Sequence, residues 1–278
     1  MVYYLYYEVK CLSGGGLLAR LKNNIRYHSA ECAQKTLVSN GNQLKLAVCV
    51  LFCVALTMLA WFISDLFELA FAIFAVSYNE PAVYWYSILM LYLLIILLAA
   101  PVYIGMFGVA MRMSQGKNAE IVDIFDTFSS PRSYCRALVI SLNLFVRILP
   151  IVLLLRLPYM LDTLAYYFTV PAFVDEYVWF AVIPVALAVV LPVGSSFGFV
   201  SFSYLDENES VRACVHSARK ARKGNYKAVY SLVYTTLFKL LISLLTVGVW
   251  TVIHTIPMAL LNYASLATEL DNNNNRKD

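Results

Sequence analysis

The chain alternates long apolar runs with short polar ones. The apolar runs fall near residues 46–64, 84–111, 137–156, 178–204, 228–247 and 250–268. A helix needs about twenty such residues to cross ~30 Å of hydrocarbon, and a barrel strand about half as many. The runs therefore predict helical spans, because only helices and closed barrels satisfy their backbone polar groups in lipid. The last two runs are nearly continuous and together too long for one crossing. Gly248 stands where a tight hairpin would divide them. The expected fold is all-α, a polytopic membrane helical bundle of about six transmembrane helices.

Composition agrees with the pattern. Of the residues, 61% are hydrophobic and 14% charged, against ~45–50% and ~25% in a soluble domain. Charge then sets orientation. Eighteen of the 21 Lys and Arg lie before the first span, after the second, after the fourth, or in the tail. The opposite loops carry Glu80, Asp162, Asp175 and Glu176. The positive-inside rule puts both termini in the cytoplasm. Trp61, Trp85, Trp179 and Trp250 fall at the expected outer span ends, where indole favours the headgroup boundary. Every cysteine falls on the cytoplasmic side or in the inner half of span one, so no disulfide is expected. Met1 to Tyr7 is apolar, but Glu8 and Lys10 cut it short and no small-residue cleavage site follows. The expected organisation is a poorly ordered extension at 1–28, a membrane domain at 29–269 and a polar tail at 270–278.

The membrane domain carries an internal repeat. Spans two, four and six share Pro101-Val-Tyr-Ile-Gly-Met-Phe-Gly108, Pro192-Val-Gly-Ser-Ser-Phe-Gly198 and Pro257-Met-Ala-Leu-Leu-Asn-Tyr-Ala264. In each, an aromatic precedes a small residue at nearly the same distance from the proline. Asn118 and Asn208 are each placed to cap an amphipathic helix. The stripes are Ile121, Ile124, Phe125 and Phe128 in the first, and Val211, Cys214, Val215 and Ala218 in the second. Such helices suit the membrane interface. Ser29 to Lys35 is a weaker third copy, and Gly41-Asn42 and Gly224-Asn225 precede spans one and five. The repeat predicts three hairpin units, roughly 29–113, 114–205 and 206–269, about an axis normal to the membrane.

Tyr204-Leu-Asp-Glu-Asn-Glu-Ser210, Ser217 through Tyr226, Leu244-Leu-Thr-Val-Gly248, Ile256-Pro257 and Ile124-Phe-Asp-Thr-Phe128 carry a family resemblance. Over roughly residues 29–268 the chain resembles an uncharacterised bacterial integral membrane family, catalogued as domain of unknown function nine-seven-five. The resemblance implies a bacterial cytoplasmic membrane as the location. It brings no established activity, substrate or catalytic residue.

Charged side chains inside a bilayer are costly and often functional. Arg147 and Lys239 each lie about ten residues into a span, ~15 Å deep, at corresponding places in two repeats. They are the candidate midplane site for an anion or lipid headgroup. The bland reading is that each snorkels or pairs with a polar neighbour. Asp65 and Arg156 form a candidate structural ion pair near the outer face. Gly194-Ser-Ser-Phe-Gly198 matches a nucleophile pattern, with His254 as base, but the expected difference in depth is on the order of 10 Å, against the ~3 Å that proton transfer needs. The histidines His28, His216 and His254 are scattered through the sequence, no phosphate-binding loop is present, and no cofactor or metal site is read. The basic run Arg219 to Lys223 suggests anionic lipid headgroups as partners in preference to nucleic acid. The expected function is a non-enzymatic scaffold or regulatory protein that binds lipid or a membrane partner. The alternative is a transporter or channel for a small anionic solute.

Overall fold

The computed structural model describes residues 25–78, 81–167, 189–205, 210–245 and 250–275, with positions 185 and 248. Among them helix is the only regular structure, with no strand. In order come α1 (Ile25–Val38), α2 (Asn42–Tyr78), α3 (Pro81–Ser114), a 3-10 helix (Ile121–Phe128), α4 (Pro131–Tyr167), α5 (Val189–Phe202), α6 (Val211–Arg222) and α7 (Tyr226–Leu245). A single π-helical turn (Thr251–Thr255) then leads into α8 (Ile256–Asn275). Three segments are long and apolar enough to cross a membrane: Asn42–Ile73, Ile96–Ser114 and Pro131–Ile151.

Helix ends follow local chemistry. Pro81 and Pro131 open α3 and α4 at a position where the missing N–H would have no partner anyway. Helix α3 ends on Gly116, at φ +72°. There Lys117 N–H donates to Arg112 O at 3.0 Å and Gly116 N–H to Met113 O at 3.0 Å. That doubly bonded stop requires a left-handed residue, which glycine supplies without strain. Gly248 also sits at positive φ, +74°, where the sequence divides its last apolar stretch.

The helices overrun the expected spans. Helix α2 continues from Asn42 to Tyr78, so Trp61 lies mid-helix and not at an end. Asp65 and Glu68 are ordinary helix residues and do not stop it. Trp85 and Trp179 lie outside the residues whose side chains are described.

Burial separates inner from outer helices. Within an 18-residue apolar window of Ile96–Ser114 in α3, 56% of the residues are buried, against 17% in that of Pro131–Ile151 in α4. The three proline-led segments lie on the inside, and three core clusters join them in pairs. One cluster packs Val102 and Met106 of α3 against Leu260 and Leu261 of α8, closed by α1 and α2. A second packs Phe202 of α5 against Tyr263 and Leu266 of α8, closed by α6 and α7. The third packs Ile104 of α3 against Phe199 and Val200 of α5, closed by α4. Outward faces are apolar and exposed, as at Met58 and Phe62 of α2, Leu142 of α4 and Phe238 of α7.

Proline at an interior position leaves the carbonyl four residues back without its usual donor. For Pro101 that carbonyl is Leu97 O, which accepts from the Tyr134 hydroxyl at 3.0 Å. Before Pro257 the chain makes a π turn, with Ile256 N–H reaching back five residues to Thr251 O.

The segment at 118–128 departs from expectation. It is a 3-10 helix starting at Ile121, and its cap is Glu120 in reciprocal bonding with Asp123, not Asn118. With three residues per turn, Ile124 and Thr127 face inward while Phe125 and Phe128 stay largely exposed. Helix α6 does follow its stripe, but the cap is Ser210, whose Oγ accepts from Ala213 N–H at 3.2 Å. Asn208 lies outside the described residues.

A cavity lined by three arginines

Arg147 on α4, Arg219 and Arg222 on α6, and Ser195 on α5 line one cavity of about 210 Å³. Arg147 Nη1 donates to Ser196 Oγ at 3.1 Å, and Arg222 Nη1 donates to Ser195 Oγ at 2.7 Å. Both serine hydroxyls in turn donate to Pro192 O, each at 2.8 Å. Pro192 thus anchors two hydroxyls that aim two guanidiniums into the same space. Arg147 also lies over the Phe199 ring, 4.8 Å from its centroid, a cation–π contact.

No carboxylate lines this cavity among the described residues. Arg222 acts electrostatically on Arg147, and the Nε of Arg222 is buried without a hydrogen-bond partner among the described residues. Like charges gathered this way repel, and a buried unpaired donor costs about 1–3 kcal/mol. An anion in the cavity would reverse both penalties. The far wall is apolar, built from Phe202, Val229 and Leu266.

Lys239 is elsewhere. It lines a separate cavity of about 80 Å³ with Arg26 and Ser29 of α1, Thr235 of α7, and Thr255 and Asn262 near the start of α8. Arg26 bonds the Thr235 hydroxyl there, and burial lowers its guanidinium below the ordinary value. The structure does not bring Arg147 and Lys239 into one site. The two cations have different neighbours, and each lines its own cavity. On α2, Thr57 donates to Cys53 O at 2.8 Å and contacts the Tyr103 hydroxyl. Asp65 is exposed on α2, and the Arg156 side chain lies outside the described residues.

No known family model, curated protein or solved structure matches this chain.

The serine of the nucleophile-like pattern is engaged with Arg147 and Pro192. His254 stacks on Trp250 with ring centroids 5.0 Å apart. Gly194 is a packing position, since an added Cβ would meet Val233 Cγ1 at 2.6 Å.

Arg219 and Arg222 were legible only as a basic run. The missed signal is periodic. Val211, Val215 and Ala218 continue at helical spacing to position 222, so an arginine occupies a place on the inward stripe. One further grouping escapes sequence reading altogether. His28 and Cys32 of α1 meet Glu269 of α8, with donor atoms within 4.8 Å of one another. Burial, with the Glu269 carboxylate nearby, pushes the Cys32 thiol above its ordinary value.

Proposed function

We propose that the chain is a non-enzymatic membrane protein of about six spans with both termini cytoplasmic, whose arginine cavity holds the phosphate of an anionic lipid headgroup. The observation that carries this reading is the convergence of Arg147, Arg219 and Arg222 on one space lined by no described carboxylate. Guanidinium forks match phosphate oxygens in geometry and charge. The apolar wall beside them suits a headgroup with its glycerol and chains attached, whereas free phosphate has no use for it. The volume, about 210 Å³, is below the ~300–1,000 Å³ of pockets that enclose drug-sized ligands.

The pairwise core clusters of α3, α5 and α8 support a threefold arrangement of hairpins, with the proline-led helix of each unit inside. In that arrangement α6 carries its arginines from the cytoplasmic face down toward Arg147. The likeness to the uncharacterised bacterial family supports a cytoplasmic-membrane location. Anchoring lipid at this cavity would make the protein a scaffold or regulator in the bilayer.

The test is retention of lipid by the purified protein. Wild type in mild detergent should co-purify anionic phospholipid, measured by mass spectrometry, and an Arg147→Ala/Arg222→Ala variant should lose most of it. Millimolar inorganic phosphate should not displace the lipid. Equal retention by the two proteins sinks the reading. Anion flux in proteoliposomes that the double variant abolishes would replace it with the transporter.

A further inference from the structure

The trio of His28, Cys32 and Glu269 has the chemistry of a metal site and owes nothing to the arginine cavity. His28 and Cys32 are one helical turn apart on α1, a spacing that stacks two side chains on one face. Their Sγ···Nδ1 distance is 3.7 Å. Tetrahedral zinc, with bonds of ~2.3 Å to sulfur and ~2.0–2.1 Å to nitrogen, sets that edge at roughly 3.6 Å. Glu269 reaches the same nitrogen from α8, with Oε1 2.6 Å away. A rotation of the carboxylate opens that contact to the ~3.4 Å that two metal ligands require. His28 is exposed while the other two are partly buried, so the site is reachable from solvent.

We infer that His28, Cys32 and Glu269 bind zinc, or a divalent ion of similar softness, and that the metal clamps α1 to the C-terminal helix. Thiolate with imidazole and carboxylate is a borderline-soft donor set, which selects zinc over magnesium or calcium. Three protein ligands leave one position for water. The clamp has a defined consequence for the neighbouring cleft, because Arg26 and Ser29, on the same helix, form one wall of the Lys239 cavity. Holding α1 on α8 holds that wall.

The simpler alternative is an ion pair between His28 and Glu269 with Cys32 as a bystander. Cys32→Ser separates the two, because it keeps the pair and removes the sulfur. Full-length protein in detergent is stripped with chelator, given zinc or cobalt, and desalted. Wild type should retain about one equivalent of zinc, and its cobalt form should show thiolate-to-metal charge-transfer absorption. Cys32→Ser should lose both, and Cys135→Ser should keep both. Without any variant, zinc should slow maleimide labelling of Cys32 by about tenfold or more, read by peptide mass spectrometry, and leave exposed Cys135 unaffected. Zinc retained equally by wild type and Cys32→Ser, or labelling of Cys32 unchanged by zinc, overturns the proposal.

Discussion

Two cavities in this protein each carry three arginines, and they are built to opposite ends. In one of about 420 Å³, Arg112, Arg132 and Arg136 are accompanied by Asp123 and Asp126. Arg112 bridges both carboxylates, Nη1 to Asp123 at 3.1 Å and Nη2 to Asp126 at 2.5 Å, and Arg136 donates to Ser203 O at 2.6 Å. The other holds Arg147 and Arg222 on serine hydroxyls, with Arg219 beside them on the exposed side of α6. Carboxylates neutralise a guanidinium and leave a closed clamp. Hydroxyls orient one without neutralising it, so its charge stays available. Counting arginines therefore says nothing about function; what they are paired with decides it.

The walls differ as well. Gly105 in the paired cavity lets the 3-10 segment press directly on α3, and a Cβ there would lie 2.0 Å from Ile124 O. Because the obstacle is backbone, Gly105→Ala should cost about 3 kcal/mol. That would lower the midpoint of thermal unfolding by on the order of 10 °C. A midpoint within 2 °C or so of wild type would mean that the segment is not seated there.

Next in size is the effect of removing charge from the other cavity. Arg147→Ala with Arg222→Ala should weaken retention of anionic lipid by about 100-fold, since charge-assisted hydrogen bonds contribute ~1.5–3 kcal/mol each. Lipid-free stability should hold or rise, because the two cations repel each other. A loss of stability with lipid retention intact would make these arginines structural and erase the contrast.

The converse follows for Arg112→Ala. It leaves two carboxylates uncompensated at a partly exposed site, and solvent limits the cost to about 1 kcal/mol. Lipid retention should not change. Should retention fall as far as in the double variant, the paired cavity would be a binding site too. The smallest effect belongs to Gly198→Ala, where the nearest atom to a new Cβ is a Tyr263 ring carbon at 3.9 Å. Thermal stability should stay within about 0.5 kcal/mol of wild type, which sharpens the point that Gly105 is constrained by contact and Gly198 is not.

Much of the fold was readable from local signals. The apolar run at 84–111 read as one span, and the helix found there extends it to Pro81–Ser114, opened by the proline and stopped at Gly116. The proline-led segments showed themselves by a shared pattern, and the helix that carries each contributes to the core clusters, although Pro192 itself is exposed. The inward stripe of α6 was legible, yet its last member, Arg222, was read only as part of a surface charge run. The 3-10 helix at 121–128 was not legible, because the number of residues per turn was settled by docking against Gly105 and by the Glu120–Asp123 cap.

By itself the sequence determined that the described chain is helical, that it carries segments apolar enough for lipid, and where the positive charge gathers. Those properties sum along the chain and need no partner. Only the tertiary structure decided that Arg147 faces Ser196 and Arg222 and not Lys239, and that His28 meets Glu269 from 241 positions away. A side chain's role depends on what a neighbouring helix presents to it at a few ångströms. That neighbour is chosen by packing of the whole bundle, on which local periodicity is silent.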